Sequence, residues 1–531
     1  MKPRDTKLNL LDKHILFTKS RKIFIGLFFV FFLQSVAWTL VTPLLSAPDE
    51  PSQIITAVAD VRGQFIKARA TNWPSPISKV VVPATFAFLP NESQCLFQTN
   101  GPANCQLSPT KCSQLSGGQP GLCGLPIKYG KKPITALTYS GRYPPLYYLI
   151  VGLPSLINSK PFILYFMRLM SVLMGTLFIA LAFYSVYKWS TNPILVAGIM
   201  VSLSPMVIYL ISVVNPSGLE IIAALNLWVS GILLVKEKFL KIPNYLLITT
   251  FISAVVLVLS RPDGPEWALI IFTILILIAK RDTLRLLIKN KLFKYLLAVL
   301  ILISIIGVGW NVIEHASTVI PGSLYPKNAD IVYIAGSVLG QSQYLVNGMV
   351  GLLGWDNAPT PYLTQIIWLL CLGCMGLLAI GSFRKKQWRD TLGLVGLVAI
   401  VIAIPVIYTL HYAHLYGNIL QGRYMLPGAV GVVIVASMLI KGLTYRQRLT
   451  ITKTLIAAAS LGNIVAFIWI LRRYMVGLAT FDIFKKVPGY WSPPIPAALF
   501  IILFILINII IVFVMWGVAE NINIRSLETT Q

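Results

Sequence analysis

Apolar runs of about 20 residues recur along this chain, each long enough to cross about 30 Å of hydrocarbon. No water inside a bilayer satisfies backbone N–H and C=O groups, so such runs fold as helices that pair those groups internally. The residue balance agrees. Hydrophobic residues make up 56% and charged residues 12%, where soluble domains run at about 45–50% and about 25%. Together with a mean hydropathy of +0.76, this excludes an ordinary soluble enzyme, a disordered chain and a small secreted disulfide scaffold.

The net charge of +26, from 44 Lys and Arg against 18 Asp and Glu, would point to nucleic acid in a soluble protein. In a membrane protein it sets orientation instead, because short cytoplasmic loops carry the excess of Lys and Arg. Lys2, Arg4, Lys7, Lys13, Lys19, Arg21 and Lys22 precede the first apolar run, Ile23 to Ser46. That run exceeds the apolar core of about 7–15 residues in a signal peptide and has no small-residue cleavage site. It reads as a retained helix with its N-terminus inside. Further spans are expected at 162–187, 193–214, 217–235, 244–260, 265–279, 295–313, 362–381, 391–410, 425–440, 451–471 and 495–517. The expected fold is therefore all-α and polytopic, with about 12 transmembrane helices (11–14). Both ends lie inside, and the basic loops 236–241, 280–294, 384–389 and 441–453 all fall on the cytoplasmic face.

The implied organisation is a cytoplasmic segment 1–22, a first span 23–46, an extracytoplasmic loop 47–161 and a helical domain 162–517, with a cytoplasmic tail 518–531. Within the helical domain, 314–361 reads as an extracytoplasmic or re-entrant segment. Its stretch Ile331 to Trp355 is long enough to span but carries Gly336, Gly340, Gln341, Gln343, Asn347 and Gly348. A crossing there would put Arg384, Lys385 and Lys386 outside, against the charge rule. Pro144 to Ile157 is apolar but short and reads as an interfacial helix.

The first loop holds Cys95, Cys105, Cys112 and Cys123. An even number on an extracytoplasmic face suggests two disulfides, in any of three pairings. Their spacing, with no His nearby, does not resemble a zinc site. Cys371 and Cys374 lie in an apolar span and read as small buried apolar residues.

The acids are one-sided. On this topology Asp49, Glu50, Asp60, Glu92, Glu220, Asp263, Glu266, Glu314, Asp330, Asp356 and Asp482 all face outward, most at helix ends. His315, His411 and His414 share that side. Ionisable groups near the membrane are costly unless paired or hydrated, and they mark functional sites. Surface solvation would place similar chemistry on both faces. The pattern points to one polar cavity opening outward, lined by Tyr143, Glu220, Arg261, Asp263, Glu266, Glu314, His315, Asp356, His411, His414, Gln421 and Tyr424. Asp49 and Glu50, directly after the first span, suit proton abstraction from a hydroxyl. They equally suit a solvated helix end, or pairing with Arg142 or Arg423. Arg423 suits phosphate through its planar fork, or headgroup snorkelling. Lys132 and Arg142 suit an anionic headgroup. His411-x-x-His414 lacks a further ligand, so no metal or other cofactor is called for.

No P-loop or G-x-S-x-G motif is present. The inside loops are too short to bind a nucleotide, so a cytosolic nucleotide-sugar is an unlikely direct donor.

The chain resembles the GT-C superfamily of glycosyltransferases, in particular a bacterial membrane family filed as a domain of unknown function. The resemblance rests on P-D-E at 48–50, Y-P-P-L-Y-Y at 143–148 with M-R-L-M-S-V-L-M-G at 167–175, L-S-P at 203–205 with V-V-N-P-S at 213–217, and G-W-D at 354–356 with Q-G-R-Y-M-L-P at 421–427. It covers about residues 20–430. It implies interfacial helices in the first loop, a polyprenyl-phosphate-sugar donor, a glycan or glycolipid acceptor, and inverting transfer outside a bacterial plasma membrane. It also implies Asp49 as base with Glu50 as the close alternative, and donor phosphate held by Arg423 with Lys132 or Arg142. Two positions depart from the family pattern: Gln53 stands where relatives often carry His, and Asn215-Pro216-Ser217 where an acid is common, with Glu220 displaced. The competing readings are a flippase or transporter of lipid-linked saccharides, and a polymerase or ligase of lipid-linked glycans.

Overall fold

A computed structural model describes residues 10–70, 77–87, 129–318, 329–354, 358–383, 387–416, 421–477, 480–485 and 490–528. The four loop cysteines, Cys95, Cys105, Cys112 and Cys123, and Asp356 lie outside the described residues. The helices are α1 (Leu10–Val41), α2 (Glu50–Asp60), α3 (Leu146–Val151), α4 (Pro154–Ile157), α5 (Ile163–Trp189), α6 (Ile194–Ser202), α7 (Pro205–Ile211), α8 (Pro216–Lys236), α9 (Asn244–Ser260) and α10 (Gly264–Ile278). They continue with α11 (Arg281–Lys289), α12 (Lys291–Ile313), α13 (Ile331–Gly340), α14 (Ser342–Val350), α15 (Tyr362–Gly381), α16 (Trp388–Tyr416), α17 (Leu426–Leu439), α18 (Tyr445–Val476) and α19 (Ala497–Glu528).

Among the described residues, nine helices are long and apolar enough to cross a membrane. The pair α6–α7, bent by 65°, makes a tenth. Each of the twelve expected spans falls on a helix or on this bent pair. The two that fall short are α9 and α10, at 17 and 15 residues. They are cut apart by Arg261-Pro262-Asp263-Gly264, where Pro262 removes a backbone donor. Proline also breaks α6 from α7: Pro205 opens α7, and Ser204 caps it by accepting from the Val207 N–H. The 331–355 stretch is no continuous span, since it divides into α13 and α14, of 10 and 9 residues.

The centre of the bundle is α8, buried along its length and packed among α5, α9, α10, α7 and α17. Trp228 lies flat against Gly431 of α17, where an added Cβ would sit 2.2 Å from the indole, and donates to the Pro427 carbonyl at 3.0 Å. The long helices α18 and α19 pack on each other and back onto α1.

A further layer covers one end of the bundle. It contains α2, the short helices α3 and α4, and an antiparallel sheet of β1 (Ala68–Arg69), β2 (Ser78–Pro83) and β3 (Pro133–Thr138) in the order β1-β2-β3. Strand register pairs Val80 with Ala136, and β2 alternates buried with exposed side chains as a one-sided strand must. A buried hydroxyl cluster fastens α2 to β3: Ser52 meets Thr138 at 2.7 Å, and Thr56 meets Ser140 at 2.9 Å. Such groups are tolerated because they satisfy one another.

At the far end of α2, Asp60 is buried and bonded to Lys67 at 2.5 Å. Burial pushes the Asp60 carboxyl up to about 6 against the pull of Lys67. The folded chain thus holds this proton more tightly than the unfolded one. The stabilisation is fully present below about pH 4 and is lost as pH rises through about 6. Full loss corresponds to about 3 kcal/mol. The melting temperature of the detergent-solubilised protein is expected to fall across this window relative to Asp60→Asn. Parallel pH curves for the two proteins would contradict it.

Candidate active site

The site begins where α1 ends. Leu45 and Asp49 both adopt left-handed backbone (φ 67° and 61°). Asp is among the few residues that enter this region readily. The chain reverses sharply there, and α2 begins one residue after Asp49.

Arg168, from the N-terminal part of α5, organises this turn. Its Nε and Nη2 donate to the two Glu50 carboxylate oxygens at 2.7 and 2.6 Å. Nη1 donates to the carbonyls of Thr39 and Thr42 at 3.1 and 2.6 Å, and Nη2 to Pro43 at 2.8 Å. All five guanidinium N–H groups are used, three of them on carbonyls at or beyond the end of α1 that have no helical donor. Glu50 also accepts from the Val214 N–H at 3.2 Å. Asn215 donates to the Pro48 carbonyl at 2.9 Å while capping α8. The V-V-N-P-S stretch is therefore a clasp on the P-D-E segment. Glu50 is fully buried, and its oxygens accept three bonds, two from Arg168 and one from the Val214 N–H, which suits an anchor for this segment.

Asp49 points the other way. Its carboxylate is 24% exposed and forms no cap bond to α2. Oδ1 accepts from the Tyr139 hydroxyl at 2.8 Å. Oδ2 accepts from Arg423 Nη2 at 2.9 Å. Burial, then the charge of Asp49, push the Tyr139 phenol well above its ordinary range, so it remains a donor. The backbone of Tyr139 is pinned by Ser52 Oγ at 3.1 Å, one turn of α2 from Asp49. Arg423 lies in a short 3-10 turn, Gly422–Met425. Gly422 there has no room for a side chain: a Cβ would meet the Leu345 carbonyl at 1.9 Å.

Tyr424 joins this centre to a second cluster. Its ring lies under Arg423 at 5.2 Å and under Arg261 at 4.8 Å. Arg261 donates to Ser217 Oγ at 2.9 Å and to Glu220 at 3.2 Å, and it lies 3.5 Å from Asp263. Glu266 lies close to Tyr408 of α16. Tyr143 feels the charges of Arg261, Asp49 and Asp263, and burial pushes its phenol up. The C-terminal end of α12 ties these segments together, with Trp310 donating to the Arg142 carbonyl at 3.0 Å and Asn311 to the Pro262 carbonyl at 2.8 Å.

The structure thus brings together Asp49, Arg423, Tyr424, Tyr143, Arg261, Glu220 and Asp263, with Glu266 beside them. Arg142 is buried nearby and feels Glu314, and burial lowers its guanidinium's affinity for a proton. Gln421 precedes the Arg423 turn. Lys132 is not part of this group. It is exposed just before β3, about 20 Å along the strand from Tyr139. His315 is exposed with φ 53°, and His411 and His414 are exposed on α16. Among the described residues no three His, Cys, Asp or Glu side chains come together as a metal site. Cys371 is buried.

Sequence reasoning missed the roles of Arg168 and Tyr139. Arg168 did carry a signal, as a charge near one end of an apolar span demands a partner. Tyr139 carried none.

Below the Arg423 turn runs an apolar cavity of about 530 Å³. Met349 and Leu426 line it near the turn, and Ile380, Phe383 and Leu394 line it at the opposite end. Its α15 wall alone, Trp368 to Phe383, represents about 22 Å of helix. It lies between α15, which packs on α17 and α18, and α16, which packs on α17, α10 and α13.

A family model described as a predicted membrane protein, DUF2142, matches residues 31–432. No curated protein matches the chain. Among solved structures, the crystal structure of ArnT from Cupriavidus metallidurans bound to undecaprenyl phosphate is similar at a TM-score of 0.38 and 11% identity. That match covers 95% of this chain and 78% of ArnT's.

Proposed function

The chain belongs to the DUF2142 family of membrane proteins, and on that premise we propose that it is a GT-C-type glycosyltransferase. It takes a polyprenyl-phosphate-linked sugar and transfers it, with inversion, to a cell-envelope glycan or glycolipid at the outer face of a bacterial plasma membrane. One observation carries this reading: a partly exposed carboxylate, Asp49, pairs with a phosphate-fitting arginine, Arg423, whose turn leads straight into Leu426 on the wall of a long apolar cavity. A polyprenyl chain matches that cavity, a phosphate matches the arginine, and a hydroxyl matches the base.

The chemistry follows. Asp49 takes the proton of the acceptor hydroxyl, and the oxygen attacks the anomeric carbon from the face opposite the phosphate. The bond from carbon to phosphate oxygen breaks, and the phosphate leaves with the electron pair. Arg423 neutralises the charge that grows on it. A single displacement inverts the anomeric centre. The aromatic and acidic wall of Tyr143, Tyr424, Glu220 and Asp263 supplies ring faces and acceptors for sugar hydroxyls.

The test is a mass-resolved lipid and glycan profile of cells with and without the protein. Loss of one sugar from the envelope, with its polyprenyl-phosphate carrier accumulating, is expected. Accumulation of an untranslocated saccharide precursor instead would assign a flippase. The cavity makes its own prediction. Ala429→Trp, which fills it from α17, is expected to weaken undecaprenyl phosphate binding at least about tenfold, equivalent to 1.4 kcal/mol. Unchanged binding would place the lipid elsewhere.

A further inference from the structure

We propose that the Asp49–Arg423 ion pair is a latch that the donor's phosphate opens, so that the base is released only after the donor is seated. The inference rests on the roles just given to these two residues. Its basis is that both oxygens of Asp49 are occupied, Oδ1 by Tyr139 and Oδ2 by Arg423. In this pairing Arg423 occupies Oδ2, one of the two oxygens an incoming hydroxyl could reach. Arg423 reaches Asp49 through one nitrogen, Nη2, whereas a phosphate offers oxygens to the guanidinium fork in a bidentate pair. Carboxylate and phosphate therefore compete for one cation, and the phosphate is the better ligand.

The surroundings fit an exchange of partners. Arg423 lies over the Tyr424 ring, so its charge keeps a favourable neighbour while it turns. Tyr139 holds the other oxygen of Asp49, and the Ser52 bond fixes Tyr139. Asp49 therefore stays in place when Arg423 leaves. Donor before acceptor is then the required order, and the chain avoids activating a hydroxyl with no donor present.

The test measures binding, not turnover. Undecaprenyl phosphate, with undecaprenol as the uncharged control, is titrated into the full chain in detergent. Asp49→Asn keeps the size and left-handed tolerance of the side chain but removes the competing charge. It is expected to bind undecaprenyl phosphate about tenfold more tightly than the native protein, with undecaprenol unchanged. Asp49→Gly, which suits the backbone angle equally, repeats the test if the Asn variant does not fold. In the double variant Asp49→Asn/Arg423→Gln the gain is expected to vanish. Equal or weaker binding by both Asp49 variants overturns the latch and leaves the donor class standing. Failure of the native protein and its variants alike to bind undecaprenyl phosphate overturns the donor reading and the latch with it.

Discussion

Asp49→Asn is expected to lower sugar transfer about 10²–10⁴-fold, the span attributed to a positioned general base, while leaving the protein folded. Asparagine is isosteric, adopts left-handed backbone as readily as aspartate, and still accepts from Tyr139. What it loses is the ability to take a proton. The measurement is the lipid and glycan profile of cells carrying the variant in place of the native gene. The envelope sugar should disappear and its carrier accumulate, with protein levels unchanged. Native profiles would remove Asp49 from the mechanism. The same variant is expected to bind polyprenyl phosphate more tightly while failing to use it. That pairing of tighter binding with lost turnover separates a base from a residue that merely supports the fold.

The legible part of this protein was its relation to the membrane. Hydropathy located each expected span because hydrocarbon leaves the backbone no other choice. It read 193–214 as one continuous span where Pro205 opens a second helix after a bend of 65°, and it counted as spans two helices of only 17 and 15 residues on either side of Pro262. The site was legible as a list of residues but not as a geometry. Asp49 and Arg423 were each singled out by position and chemistry, and their pairing was one reading among several that the sequence left open, which the geometry selects. His411 and His414 were singled out by the same logic, and they stand exposed on α16. The acidic pair shows the limit most clearly. Asp49 and Glu50 are adjacent and chemically alike, and only the left-handed turn at Asp49 sends one carboxylate outward and the other into the core.

Arg168→Met is expected to be among the most destabilising single substitutions in the chain. It strips the charged partner from a fully buried Glu50 and removes the Arg168 donors from the carbonyls of Thr39, Thr42 and Pro43, of which Pro43 keeps Ser46. Removing one member of a buried ion pair costs about 3–5 kcal/mol, against a total stability of about 5–15 kcal/mol. Membrane levels of the variant should fall sharply, and its melting temperature in detergent with them. Arg168→Lys should recover little, because three donors on one nitrogen cannot serve five fixed acceptors. Adding Glu50→Leu to Arg168→Met should recover much of the loss, since replacing both charges with apolar groups avoids the unpaired carboxylate. That double variant also tests the division of labour between the two acids. If Glu50 serves the fold alone, the rescued protein keeps the transfer that depends on Asp49. A double variant that folds, keeps the Asp49–Arg423 pair and transfers nothing would return Glu50 to the chemistry.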